Sequence, residues 1–192
     1  MNAADLPLWV QLSDLEDWPV ENCTSQALHY SIPIRQGWYT RPTVNQTQME
    51  VEHIFRGNNA SEQLTVSFMS QANPEHPLRN WLEGMLLLTG FPLLSMQPDG
   101  QPPPQLLDWQ YQGNCPTYAE RLAVEEVHLY QGLAKLPDPA SELTRLYILL
   151  ARRENFAWKI GLSLRSVGSL EMSENPSAAS IAGATFGSLR LL

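Results

Sequence analysis

Lysine is nearly missing from this chain. Only Lys135 and Lys159 occur, and arginine brings the cations to 12 against 20 Asp and Glu, a formal charge of −8. No broad positive field can form on such a surface, which argues against a polyanion such as nucleic acid as a partner. Cysteine is as scarce: Cys23 and Cys115 stand far apart, outside any CxxC pair and away from a His at ligand spacing. That leaves no zinc pattern and no disulfide framework. The two read as free thiols, with a single Cys23–Cys115 bridge in an oxidising compartment as the alternative. Long apolar runs are also lacking. Runs such as Met85–Leu88 and Leu146–Ala151 are far short of the roughly 20 residues of a membrane-spanning helix, so no membrane insertion is expected. Residues 1–20 interrupt every apolar stretch with Asp, Glu or Pro and have no basic start. This does not resemble a cleaved secretory leader, and a cytoplasmic location is the expectation.

Catalytic signatures are missing too: there is no GxSxG, GxGxxG, P-loop or HExxH, the spacings that tie residues to nucleophile, phosphate or zinc chemistry. Glu126 and His128 would share one strand face, but no third ligand accompanies them, and they read as part of a solvated face. Glu125 and Glu126 are adjacent and would point to opposite sides, which is unsuited to paired acid and base work. The sequence therefore predicts no enzyme, no catalytic residue, no metal and no cofactor.

What is present is a core. The 192 residues are 43% hydrophobic and 17% charged, enough apolar material for one folded domain. Residues 1–26 form an acidic arm in which Trp9, Leu12, Leu15 and Trp18 recur at three-residue spacing, the pattern of a short amphipathic helix. Residues 27–192 read as a single α+β domain. Leu28, Tyr30 and Ile32 alternate with more polar positions, as do Met49, Val51 and His53, and then Leu64, Val66 and Phe68; each run is a strand. Between Pro77 and Leu88, the residues Leu78, Trp81, Leu82, Met85 and Leu88 fall three or four apart, which predicts a helix burying that stripe. Gln97–Gln105, with four prolines, is a surface loop.

Leu107 and Trp109 open another strand. Residues 118–130 read as a strand with a bulge between Val124 and Val127, although Ala119, Leu122, Glu126 and Leu129 would also share a helical face. Residues 143–153 and 157–165 form a hairpin. Asn175 or Ser177 could cap a closing helix through Ile181, Phe186 and Leu189. The expected fold is an antiparallel β-sheet with helices packed mainly on one face.

In that order of elements the chain resembles the Mog1/PsbP-like superfamily, and especially the bacterial DcrB-related proteins that include adaptor chaperones of type VI secretion. The resemblance is carried by Leu64-Thr65-Val66-Ser67 before the Pro77–Leu88 helix, by the Tyr147–Arg153 and Trp158–Arg165 hairpin, and by the closing Phe186-Gly187-Ser188-Leu189-Arg190. It implies a Mog1/PsbP-like sandwich and a non-catalytic adaptor or chaperone. Such a protein would shield an apolar segment of a protein partner or secreted effector.

The strand Leu146–Ala151 sharpens this expectation, because Leu146, Ile148 and Leu150 occupy one side while Tyr147, Leu149 and Ala151 occupy the other. Both rows want burial. With helices covering one side, the second needs the N-terminal arm, a second subunit in a homodimer, or a client segment. The residues expected to receive that client are Ser67, Met69, Tyr147, Leu149 and Ser163. A structural subunit of a larger assembly is the alternative, and an enzyme without a recognisable motif a more distant one.

Overall fold

A computed structural model describes residues 20–38, 43–46, 50–57, 62–93, 104–137, 143–166 and 176–192. Seven strands form one antiparallel sheet: β3 (Thr43–Gln46), β4 (Val51–Arg56), β5 (Gln63–Met69), β6 (Gln105–Asn114), β7 (Glu126–Lys135), β8 (Leu143–Arg153) and β9 (Phe156–Ser166), in the order β3-β4-β5-β9-β8-β7-β6. A smaller sheet joins β2 (Tyr30–Arg35) to β1 (Val20–Ser25) on one side and β10 (Arg190–Leu191) on the other. The described helices are α1 (Arg79–Thr89), α2 (Pro116–Leu122) and α3 (Pro176–Gly187). This is the expected α+β architecture.

The hairpin of β8 and β9 runs in unbroken register from Leu143 opposite Ser166 to Arg153 opposite Phe156, so the period-two pattern of each strand sorts its side chains cleanly. On the inner face, Leu64, Val66, Phe68, Tyr147, Leu149, Trp158, Ile160 and Leu162 pack against Leu28, Tyr30, Ile32 and Ile34 of the small-sheet layer, and against Ala178, Ala182 and Phe186 of α3. Tyr118 and Leu122 of α2 join the same core. On the outer face, Tyr130, Leu146, Ile148, Leu150 and Ala157 pack against Leu78, Leu82, Phe91 and Leu93, that is, α1 and its flanks. Two of the three described helices thus share a face with the small sheet, and α1 covers the other face.

Three local readings change. Residues 118–130 are not one bulged strand: α2 occupies 116–122, Ala123 closes it with φ 52 in the left-handed region, and β7 begins at Glu126. The bulges lie instead in the neighbouring edge strand, between Leu106 and Asp108 and between Tyr111 and Gly113. Val20–Ser25, read as part of the arm, is a strand paired to β2. The spaced tryptophans and leucines of 9–18 and the proline-rich stretch 97–103 lie outside the described residues.

Candidate functional site

The five residues expected to line an open face do not share one. Ser67, Met69 and Ser163 are on the outer side of β5 and β9, whereas Tyr147 and Leu149 are inner-core residues. Nor is the inner row open. Tyr147 and Leu149 are 4% and 0% exposed, enclosed in the core that the small sheet and α3 complete. The cover that sequence left vacant is supplied largely by β2, whose own inward row Tyr30, Ile32 and Ile34 is buried.

The outer side of β4, β5 and β9 holds an unexpected concentration of buried polar groups: Glu52, Gln63, Thr65, Ser67, Lys159 and Ser163. Each described contact is specific. Ser67 Oγ donates to Glu52 Oε1 at 3.1 Å, Thr65 Oγ1 donates to the Gly161 carbonyl at 3.3 Å, and Ser163 Oγ accepts from the Gln63 amide at 3.1 Å. Lys159 is fully buried, with Nζ 3.0 Å from Glu50 Oε1, 3.7 Å from Met85 Sδ and 5.1 Å from the centre of the Trp81 ring. Trp81 Nε1 donates to the other Glu50 oxygen at 3.2 Å. A buried cation needs such partners, and here they come from the helix and the strand it covers. Ser67 and Met69 therefore lie beside Lys159, where α1 is fastened, with Met69 half-buried against the outer core, whereas Ser163 pairs with Gln63 farther along the same side.

A second polar group closes the other flank of α1. Tyr111 Oη lies 2.7 Å from His128 Nδ1, His128 Nε2 lies 2.5 Å from Glu126 Oε1, and the far Glu126 oxygen accepts from Arg152. Arg152 also donates to the His76 carbonyl at 2.8 Å, in the loop leading to α1, and Arg79 lies 4.1 Å above the Tyr111 ring. Neutral imidazole satisfies both contacts if Tyr111 donates to Nδ1 and Nε2–H donates to Glu126. The order phenol, imidazole, carboxylate looks like a catalytic relay. Burial, however, pushes the Tyr111 phenol above its ordinary range despite the nearby Arg79, the reverse of an activated nucleophile. The chain of contacts can tie β6, β7, β8 and the α1 entry together. Among the described residues no group of three or more His, Cys, Asp or Glu is arranged to hold a metal. A cleft lined by Pro33, Ile34, Trp38, Leu64, Leu162 and Ile181 has a volume of about 10 Å³, room for about one water.

Among the described residues, the two most exposed large apolar side chains lie on α1; Val44, Leu107, Tyr111 and Leu192 are exposed to a lesser extent elsewhere. Leu87 and Leu88 are each 87% exposed, although Leu88 was expected on the buried stripe. Leu82 marks the buried centre of α1, and at 3.6 residues per turn Leu88 lies about 240° round from it. Four consecutive apolar residues cannot all face one sheet, and Met85–Leu88 carried that signal.

No family model matches the chain, and no curated protein matches it by sequence. Among solved structures it is similar to the solution structure of cyanobacterial PsbP (CyanoP) from Synechocystis sp. PCC 6803, with a TM-score of 0.50 and 11% identity over 90% of this chain and 92% of that one. The chain has a Mog1/PsbP-like fold. A structure of a mutant of the protein Mog1 is also similar, with a TM-score of 0.41 and 10% identity over 88% and 87% of the two chains. At such identities the likeness is one of fold, and function is argued from the site. Among the described residues no helix is long and apolar enough to cross a membrane.

Proposed function

We propose that this Mog1/PsbP-like domain is a non-catalytic protein-binding module whose contact surface is the outward side of α1. The observation that carries the reading is the adjacent, almost fully exposed pair Leu87 and Leu88, on a helix fastened by polar contacts on both flanks. Burying a leucine contributes about 1.5–3 kcal/mol, enough for two such anchors to dominate a small contact. The narrower reading, an adaptor that shields an apolar segment of a secreted client as in bacterial type VI secretion, is supported by the sequence resemblance alone. It now refers to α1, because the inner row of Tyr147 and Leu149 is occupied by the chain itself.

A photo-cross-linking residue at Leu87 in the full chain, expressed in the source cells, tests this. One discrete partner protein captured at position 87, and not at the exposed Glu120 of α2, is the expected result. Equal capture at both positions, or none at Leu87, removes α1 as the contact surface.

A further inference from the structure

We infer that Tyr111 is the residue at which one-electron oxidation of this protein comes to rest, its phenolic proton passing to His128 as the electron leaves. This goes beyond the binding role of α1 and does not depend on it. Among the described tyrosines Tyr111 alone is exposed, at 39%, so a diffusible radical oxidant can reach it. Its hydroxyl lies 2.7 Å from His128 Nδ1, close enough for a proton to move along the hydrogen bond. In the tautomer whose Nε2–H donates to Glu126, Nδ1 is free to take that proton, and the carboxylate stabilises the imidazolium that forms. The step balances with no atom lost. The oxidant takes one electron from the ring, the Oη–H bond breaks and an Nδ1–H bond forms, which leaves a neutral phenoxyl beside an imidazolium paired with Glu126. Burial keeps the Tyr111 phenol protonated at rest, so the proton is released only when an electron goes.

The neighbouring groups steer the oxidation to this end. Arg79, 4.1 Å over the Tyr111 ring, repels a ring that has lost an electron and kept its proton. Transfer of the proton to His128 takes that positive charge off the ring, so the two losses are tied together. Two further rings continue inward from the exposed one. The ring centres of Tyr111 and Tyr130 are 5.1 Å apart, and those of Tyr130 and Trp109 are 5.5 Å apart with planes 17° from parallel. A Cβ at Gly132 would come within 2.7 Å of Trp109 Cε3, so this glycine leaves the space in which the indole lies beside Tyr130. An electron missing from either inner ring can be supplied by Tyr111. Tyr130 cannot keep the vacancy: its buried hydroxyl has no acceptor among the described residues, and Arg79, the charged group that acts on it most strongly, carries donors only. Tyr30 makes a similar contact with His53 at 2.8 Å, but it is fully buried, and burial disfavours the imidazolium that His53 would have to become.

The test uses the full chain and ruthenium(III) tris(bipyridine) generated by a light flash, with chloropentaamminecobalt(III) as the irreversible electron acceptor. Samples frozen after the flash should give the electron paramagnetic resonance spectrum of a neutral tyrosyl radical, and Tyr111→Phe, which removes only an exposed hydroxyl, should abolish it. His128→Asn keeps a hydrogen-bond acceptor for the phenol but no base, and phenoxyl formation followed by transient absorption should slow about tenfold or more. His53→Asn, at the buried pair, should leave both the yield and the rate as in the parent. The parent itself should oxidise more slowly in deuterium oxide than in water, a comparison that needs no substitution and serves even where His128→Asn fails to fold. A tyrosyl signal undiminished in Tyr111→Phe overturns the inference, as does a parent radical that is a tryptophanyl or a thiyl. Parent-like rates in a folded His128→Asn, an equal loss in His53→Asn, or equal rates in the two solvents also overturn it. None of these outcomes bears on α1 as a contact surface, which the capture at Leu87 decides separately.

Discussion

Along β9 the inward residues Trp158, Ile160, Leu162 and Leu164 are all large and apolar, while the outward Ala157, Lys159, Gly161 and Ser163 are small or polar, and all eight are buried. The inner side is a continuous apolar core shared with the small sheet and α3. Non-directional burial of that kind stabilises the sandwich but fixes no single side chain's neighbour. The outer side instead places α1 through contacts that work at one geometry: Lys159 to Glu50, Trp81 to Glu50, and Arg79 over Tyr111. Both sides are covered. The inner contacts hold the fold together, and the outer ones hold one helix, with its exposed leucines, at a fixed height.

The sharpest way to break that contrast is Lys159→Ala. Removing one member of a buried pair leaves the other charge without compensation and should cost about 3 kcal/mol, read as a lower urea midpoint with an unchanged slope. The double variant Lys159→Met/Glu50→Gln should recover most of that loss, because the unpaired charge is gone. If the double variant is as unstable as the single, the pair is not what fastens α1. On the inner side, Trp158→Ala should cost about 3–5 kcal/mol through a cavity, and no second substitution at Leu28, whose carbonyl accepts the indole N–H at 2.9 Å, should restore it.

A smaller effect is expected where the outer cover lies closest to the sheet. A Cβ at Gly161 would come within 2.5 Å of Leu93 Cδ2 and 2.8 Å of Thr65 Oγ1. Gly161→Ala should therefore cost about 1–3 kcal/mol by overpacking. Leu93→Ala, made alongside it, removes the closer obstacle and should bring the combined cost below the sum of the two. Strict additivity would mean that Leu93 does not set the height of this cover.

The contrast between the faces was only half legible in the sequence. The alternation of Leu64–Met69, the stripe centred on Leu82 and the doubly apolar strand Leu146–Ala151 are strong periodic signals, and each marks an element that is present. The lid over Tyr147 and Leu149 was legible only in part: the alternation of Leu28, Tyr30 and Ile32 marks β2, but its partners carry no such pattern, because β1 is the largely polar Val20-Glu-Asn-Cys-Thr-Ser25 and β10 has two residues. Strands so short or so polar owe their existence to pairing with β2, not to a pattern of their own. Residues 118–130 failed for a different reason, since a seven-residue helix followed at once by a strand mixes two periods in one window. The outer polar groups were visible only as small side chains at strand positions; that Lys159 meets Glu50 depends on a register and a helix docking that no local pattern encodes.

The smallest effect expected is one of pH, and it belongs to a polar pair of side chains that joins the small sheet to the inner face of the large one. Tyr30 Oη lies 2.8 Å from His53 Nδ1, and burial holds the phenol well above its ordinary range, so it stays protonated and donates to the ring. Burial lowers the His53 imidazole from its ordinary value near 6.5. The unfolded chain therefore takes up a proton at a pH where the folded chain does not, and stability falls as the solution is acidified through the ordinary imidazole range. Below the lowered folded value both states are protonated and the loss levels off. His53→Asn keeps a hydrogen-bond acceptor for Tyr30 and has nothing to titrate, so its Tm should change less than that of the parent between about pH 7.5 and pH 5, above the ordinary carboxylate range. His29, His76 and His128 remain in both proteins, and their contribution cancels in the difference. Parallel Tm curves for the two proteins would mean that protonating His53 does not distinguish the folded from the unfolded chain.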